Sequence, residues 1–250
     1  MTNKLQPILV ITATIGMIIF NYLAATGILG GIDPGAISDK YATRITPAGY
    51  AFAIWSLIYI GMIAFSIYQI LPKNIERLGS FRRIYILSCV ANCAWLYFWH
   101  QEAVVVCLGI ISILLGTLAI INVKLKTTES NADFWLMKFP FGIYFGWVTA
   151  ATILNATIAL VSLKVQLPAS TVSYIAAGLI LTAATLGVII RLKLKNYFYP
   201  LAVAWALTAI AVKQSGQTLI VVSAAFGVIA CLIAAVSFVM DMKSTEVRSI

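Results

Sequence analysis

The sequence predicts an all-α integral membrane protein, and two observations carry that prediction. Of its 250 residues, 62% are hydrophobic and 10% are charged, whereas a soluble domain carries about 25% charged residues. The apolar residues also come in repeated long runs, which indicate spanning helices of about 20 residues rather than the short alternating segments of a β-barrel. We therefore expect a lipid bilayer to surround most of the chain.

The net charge of +9 does not indicate a nucleic-acid partner. The basic residues lie between the apolar runs instead of forming one patch. The four cysteines lie inside apolar segments and have the spacing of neither a disulfide framework nor a metal site, which is typical of small buried hydrophobes. These cysteines are Cys89, Cys93, Cys107 and Cys231.

Eight helices account for the apolar runs. Pro47 and Pro200 suit the first turns of the second and seventh helices, and Pro140 predicts a kink in the fifth, with a cavity nearby. The first run is nearer to spanning length than a signal-peptide core, so we interpret it as a retained helix. The predicted helices cover about residues 7–26, 47–71, 83–101, 104–123, 134–160, 171–190, 200–213 and 218–240.

The connection from Gly27 to Pro47 is polar and long for a protein with otherwise short links. Long loops of this kind are often lids or binding elements, but a passive connection is the default interpretation. The only histidine, His100, ends the third helix beside Glu102. No second ligand sits at metal spacing, so we interpret His100 as an interface residue.

Three helices carry a stripe of aromatic and polar side chains when they are wound at 100° per residue. The stripes predict a surface that packs helices together or binds a flat ligand. They are Ala51, Trp55, Tyr59, Met62 and Ser66 in the second helix, Tyr85, Cys89, Asn92, Trp95 and Trp99 in the third, and Tyr144, Trp147, Ala151 and Asn155 in the fifth.

The fifth helix has a second face, formed by Gly142 and Gly146. Two glycines four residues apart let another helix approach closely. The sequence leaves open whether that helix belongs to the same bundle or to a second copy in a homodimer. Asn155 needs a hydrogen-bond partner in an apolar helix, and we expect it to join helices.

Three motifs occur in order along the second, third and fifth helices. They are Pro47-Ala-Gly-Tyr-Ala-Phe52-Ala-Ile-Trp55-x-x-x-Tyr59, Asn92-x-x-Trp95-x-x-Phe98 and Tyr144-x-x-Trp147-x-x-x-Ala151-x-x-Leu154-Asn155. Together they resemble the TspO/MBR family of tryptophan-rich sensory proteins, which includes the translocator protein once called the peripheral benzodiazepine receptor. Ile143 stands where the family usually has proline, and the chain is longer, so it is similar to an extended, divergent branch.

The resemblance spans about residues 7–160 and implies a TspO-like five-helix transmembrane bundle over residues 1–160. Residues 161–250 lie outside it, and their apolar runs predict a membrane extension of about three helices. The resemblance also implies an aromatic pocket inside the bundle that faces, and is covered by, the first connection. Family members bind porphyrins, some bind sterols or drug-like molecules, and light-dependent porphyrin breakdown has been attributed to some. The positions carried over as ligand-binding are Trp55, Tyr59, Asn92, Trp95, Phe98, Tyr144, Trp147 and Ala151.

The resulting functional hypothesis is a membrane protein that binds a flat hydrophobic molecule for sensing, handling or transport. Porphyrin or haem is the implied ligand, and no cofactor is required. No charged residue falls in the middle of a predicted helix and no catalytic pair is evident, which disfavours coupled carriers and hydrolytic or metal enzymes. An uncoupled transporter or permease subunit stays open as the alternative, as does light-dependent porphyrin degradation.

The distribution of Lys and Arg predicts the topology. Of the 17 basic residues, thirteen fall in segments that eight helices would place on one side, including Lys4, Lys243 and Arg248. The other four are Lys40, Arg44, Lys164 and Lys213. We therefore expect both termini in the cytoplasm, the long first connection outside, and a bacterial inner membrane as the location.

Overall fold

The computed structural model describes residues 5–128 and 130–237, and these residues form helices and turns with no strand. Each of the eight predicted segments forms a helix. The predicted end of the last helix at Met240, the tail beyond it, and Lys4 lie outside the described residues. In chain order the helices are α1 (Leu5–Ala25), α2 (Pro34–Lys40), α3 (Ile54–Tyr68), α4 (Pro72–Ile75), α5 (Gly79–His100), α6 (Val104–Lys124), α7 (Asn131–Asp133), α8 (Phe139–Ser162), α9 (Ala169–Leu194), α10 (Tyr199–Lys213) and α11 (Thr218–Val236).

Within residues 5–128 and 130–237, six helical segments are long and apolar enough to cross a membrane. They contain α1, α3, α6, α8, α9 and α11. The 22-residue α5 is long enough but more polar, because its buried face carries an arginine, a serine and an asparagine. The 15-residue α10 spans only about 22 Å at 1.5 Å per residue. It is therefore shorter than the apolar layer of a bilayer, which is about 30 Å thick.

Two irregular turns precede the aromatic stretches of α3 and α8. Residues Gly49–Ala53 form a 3₁₀ turn that leads into α3, and residues Phe134–Lys138 form a π-helical turn that leads into α8. Pro140 thus sits in the first turn of α8, where its missing N–H is tolerated. It packs on Gly61, where an added Cβ would lie 2.3 Å from the proline Cβ. Pro140 is not among the residues that line the two spaces described below.

The glycine face of α8 is covered by the α9–α10 connection and by the first residues of α10 of the same chain. A Cβ at Gly142 would lie 2.3 Å from Asn196 Oδ1, and one at Gly146 would lie 2.4 Å from the Tyr199 carbonyl oxygen. The close approach predicted from these glycines is therefore made inside the molecule, and this face is not free for a second copy. Residues of α9, α10 and α11 belong to the same hydrophobic core as those of the first five long helices.

The two ends of the bundle differ. We call the end that carries the 26–48 connection the α2 end. There Lys40 contacts Glu102, and Lys213 contacts Asp39 at 3.2 Å. The opposite end, which we call the basic end, carries the α3–α5 connection and the start of α8. The structure thus places the loops on alternate ends as the sequence predicts.

Candidate functional site

Trp55 is the centre of a group of five aromatic rings near the α2 end. It stacks on Tyr59, with ring centroids 5.7 Å apart, and on Trp95 at 6.5 Å. It meets Tyr144 and Trp147 edge to face, at 5.7 and 6.5 Å. We call these five residues the Trp55 cluster. It joins the stripes of α3, α5 and α8, so the three sequence patterns converge on one place.

A small cavity of about 40 Å³ lies on one side of Trp55. Its walls include indoles on one side and small side chains on the other, and residues of the 26–48 connection close it, as expected. It has room for a few water molecules. The residues that line it are Ser38, Ile45, Pro47, Phe52, Trp55, Trp95, Trp99, Trp147, Ala150, Ala151, Leu154, Asn155, Ala206 and Ile210.

A second chamber of about 290 Å³ lies on the other side of the same ring. Phe52, Trp55 and Trp95 line both spaces and form the partition between them. The other walls of this chamber are contributed mainly by α1, α2 and α3, and include Tyr59 and Asn21. Because the partition consists of side chains, rotation of Phe52 or Trp55 would join the two spaces.

The tryptophans around the cavity differ in their hydrogen bonds. Trp95 Nε1 donates to Asn155 Oδ1 at 3.2 Å, and Trp99 Nε1 donates to the Pro34 carbonyl at 3.1 Å. Asn155 therefore joins α5 to α8, as the sequence predicts. By contrast, the described residues provide no hydrogen-bond acceptor for the indoles of Trp55 and Trp147, and both rings line the cavity. These two indoles are free to face a ligand.

One buried polar atom near the cluster, Ser38 Oγ, has no hydrogen-bond partner among the described residues. The Asn92 amide and the Tyr144 hydroxyl are also buried, but these two groups interact with each other. Leaving a buried polar atom unpaired is costly, and such atoms in native structures often mark a place where water or a ligand binds. Ser38 lines the small cavity itself.

The structure brings together most of the residues predicted for the site. Trp55, Trp95, Trp147 and Ala151 line the small cavity, and Tyr59 lines the second chamber.

The other three predicted residues lie elsewhere. Tyr144 lies behind Trp55 and is fully buried. Asn92 is also fully buried, and its Oδ1 accepts a hydrogen bond from Asn21 Nδ2 at 2.7 Å. The amide that faces the chamber is thus Asn21, which the sequence reasoning missed. Phe98 lines a separate surface groove between α1 and α5.

Other residues of the site come from distant parts of the chain. Ser38 and Ile45 come from the long connection, and Ala206 and Ile210 from α10. In addition, Trp205 Nε1 donates to the Ala51 carbonyl at 2.9 Å, which attaches α10 to the start of α3. Gly142 and Gly146 predicted that another helix would pack closely on α8. They did not predict that this helix, α10, would also line the cavity.

A charged group sits above the site at the α2 end. Glu102 accepts hydrogen bonds from Lys40 and Tyr41, and these bonds hold the pKa of its carboxyl below the usual value. Burial, and then the contact with Glu102, raises the pKa of Tyr41. His100 Nδ1 donates to the Leu96 carbonyl at 2.9 Å, which leaves its Nε2 buried and unpartnered among the described residues.

A family model described as TSPO-like protein matches residues 7–238. The chain belongs to this family. The match covers the last three long helices as well as the first five, so this TSPO-like protein carries its family pattern across the whole described bundle. No curated protein and no solved structure matches the chain.

Proposed function

We propose that this TSPO-like protein binds a flat hydrophobic ligand at the Trp55 cluster, between α3, α5, α8 and α10. The observation that carries the proposal is the pair of spaces on either side of Trp55, walled by indoles and containing the unpartnered hydroxyl of Ser38. Aromatic walls suit a planar ligand, and a few polar atoms fix its orientation.

A tetrapyrrole is the ligand to test first, but it is large compared with the two spaces beside Trp55. The small cavity of about 40 Å³ and the chamber of about 290 Å³ together reach only the lower end of the ~300–1,000 Å³ range of small-molecule sites. A porphyrin therefore binds only if Phe52 or Trp55 rotates and the partition opens. A smaller planar molecule fits without that movement.

The residues present fit a porphyrin ring better than they fit a haem iron. Among the described residues that line the two spaces there is no histidine or cysteine. The unpartnered His100 Nε2 belongs to neither lining. We therefore expect metal-free protoporphyrin IX and haem to bind with similar affinity, because the ring and not the iron would make the contacts.

The test is a titration of the detergent-purified protein with protoporphyrin IX and with haem, followed by tryptophan quenching and by the porphyrin absorbance band. The variant is Trp55→Ala with Trp147→Ala, and the control is Trp135→Ala, since Trp135 is exposed at the basic end. We expect saturable binding that weakens at least tenfold in the double variant and not in the control. Equal binding in all three proteins would exclude the Trp55 cluster as the site.

Transport is the second candidate, and one observation favours it: α10 contributes Ala206 and Ile210 to the cavity wall, so the C-terminal helices take part in the site. Ligand flux into proteoliposomes that depends on Trp55 and Trp147 would indicate a carrier. Saturable binding without flux would indicate a sensor or a ligand store. Protease access to the 26–48 connection in intact spheroplasts of a bacterial expression host tests the proposed inner-membrane orientation, with both termini inside.

A further inference from the structure

A second groove lies at the α2 end, outside the aromatic site. The consecutive helices α8 and α9 diverge around α10, which packs against both, and the gap between them has a volume of about 450 Å³. Its sides are apolar and include Leu160, Val161 and Ile175, which are exposed on the outer surface of the bundle. In a membrane this surface faces the acyl chains, so the groove opens sideways into lipid.

The side chain of Arg44 is the one cation among the described residues that line this apolar groove. Its guanidinium forms no ion pair or hydrogen bond within the described structure. None of the described residues that line the groove is acidic. A cation without a partner at the edge of an apolar surface is expected to attract an anionic group.

The backbone that carries Arg44 is held in place. Thr46 Oγ1 accepts a hydrogen bond from the Thr43 N–H at 2.9 Å, which closes a turn around Arg44. Gln214, at the end of α10, donates to the Thr43 carbonyl at 3.1 Å and to the Thr46 carbonyl at 3.3 Å. Because the turn is fixed before any ligand arrives, binding at Arg44 costs little ordering of the backbone.

We propose that the α8–α9 groove binds an anionic phospholipid of the surrounding bilayer. Its phosphate accepts hydrogen bonds from Arg44, and one acyl chain lies along Leu160, Val161 and Ile175. A lipid is the occupant because the groove combines one cation with a long apolar wall and opens at the lipid-facing surface. The proposal does not depend on the Trp55 cluster or on its ligand.

The test compares lipid binding to the delipidated full-length protein by native mass spectrometry, with dioleoyl phosphatidylglycerol and dioleoyl phosphatidylcholine. Wild type should prefer the anionic lipid about fivefold, because one basic residue contributes about 1 kcal/mol to such attraction. Arg44→Gln should abolish the preference. Lys164→Gln, which removes an exposed cation at the same end, should keep it.

Two further measurements locate the lipid. Ala176 lines the groove and is buried, so Ala176→Phe should weaken binding of both lipids by filling the space of the tail. Glycerol phosphate, which has the headgroup charge but no tail, should not compete. Equal affinity for the two lipids in wild type, an equal loss in Lys164→Gln, or full competition by glycerol phosphate would each overturn the proposal. If Ala176→Phe does not fold, the arginine and lysine variants still decide the question.

Discussion

The two halves of the bundle are both rich in aromatic residues, yet the inner aromatic group of one half is solid and that of the other is hollow. The basic end does have a groove of about 170 Å³, but Phe81 is the only aromatic residue of the described structure that lines it. At the basic end, Phe65 packs edge to face on Tyr85 and Phe141, with ring centroids 4.9 and 5.1 Å apart. At the α2 end, Trp55 and Trp147 surround open space. Aromatic rings pack on one another in both halves. In the hollow half, however, the rings also border a cavity whose other walls include alanines of α8 and α10.

Buried polar groups differ between the halves in what lies beside them. At the basic end, Thr14 Oγ1 lies 2.6 Å from both Ser66 Oγ and the Tyr85 hydroxyl, and Gln6 Oε1 is buried without a partner among the described residues. At the α2 end, Ser38 Oγ lacks a partner among the described residues and lines the small cavity. Each half thus keeps an unsatisfied polar atom, but Ser38 lies in a space between aromatic rings, where such an atom is of the kind that binds a ligand. Four experiments test this contrast, and they follow in order of expected effect.

The largest effect is expected at Arg82, which is fully buried at the basic end. Its guanidinium donates to Gln69 Oε1 at 2.6 Å and to the carbonyls of Gln69, Asn74 and Ile75. It thereby binds the carbonyl end of α3, where a cation is favourable. Arg82→Met should lower the free energy of unfolding by about 3 kcal/mol, because buried carbonyls lose a charged donor.

The measurement is apparent melting temperature in detergent, monitored by reaction of the buried cysteines with a fluorogenic maleimide. Arg83→Met is the control, because the neighbouring Arg83 is exposed. If both variants melt alike, the buried guanidinium does not stabilise the basic end.

The next largest effect concerns the contact of α8 with α10. A Cβ at Gly146 would lie 2.9 Å from Ala202 Cβ and 2.4 Å from a backbone oxygen, so Gly146→Ala must push the two helices apart. We expect a loss of about 1–3 kcal/mol. Gly178→Ala in α9 is the matched control, since a Cβ there meets nothing within 4 Å. An unchanged melting temperature in Gly146→Ala would show that α10 does not pack this closely.

The hollow half should respond in the opposite way. Ala151 lines the small cavity, so Ala151→Val adds methyl groups to existing space. We expect it to leave stability unchanged or to raise it by up to about 1 kcal/mol, while it weakens protoporphyrin binding. Melting and binding are measured on the same preparation. A variant that is destabilised and still binds normally would contradict a cavity at this position.

The smallest effect is expected at Glu102, whose pKa is lowered by the hydrogen bonds from Lys40 and Tyr41. An unfolded glutamate has a pKa of about 4.3. Its contribution to stability is therefore complete above that pH and is lost as the pH falls through the lower folded-state pKa. Glu102→Gln should flatten the acid side of a melting-temperature profile between about pH 3 and 5. A profile identical to wild type would mean that the contact adds nothing to stability.

Helical periodicity predicted the positions on α5 well. Successive residues turn by 100°, so Trp95 and Trp99 share a face whereas Phe98 is rotated away. The structure follows this geometry: Trp99 lines the cavity, and Phe98 lies in the groove with α1. Trp99 belongs to the stripe that helical periodicity predicts, whereas Phe98 was carried over as a ligand-binding position from the family resemblance. Local periodicity was therefore the more accurate guide to which side chains meet.

Long-range packing could not be predicted in the same way. Nothing in the local pattern of Ser38 or Ala206 indicates that they meet across a cavity, because their positions depend on how a 20-residue connection and α10 close on the bundle. Asn21 was missed for a similar reason: an asparagine within an apolar helix predicts a partner but does not identify it. The glycine pair on α8 predicted a close contact and left its partner open.

The insertion of α10 between α8 and α9 also has a consequence for biogenesis. Asn196 Nδ2 donates to Asn122 Oδ1 across 74 positions of the chain, and the Asn196 side chain rests on Gly142. A ribosome adds about 5–20 residues per second. The nascent protein must therefore hold α6 and α8 in the membrane for several seconds before their polar and glycine surfaces are covered. During that interval the unfinished bundle is the form most exposed to chaperones and proteases of the insertion machinery.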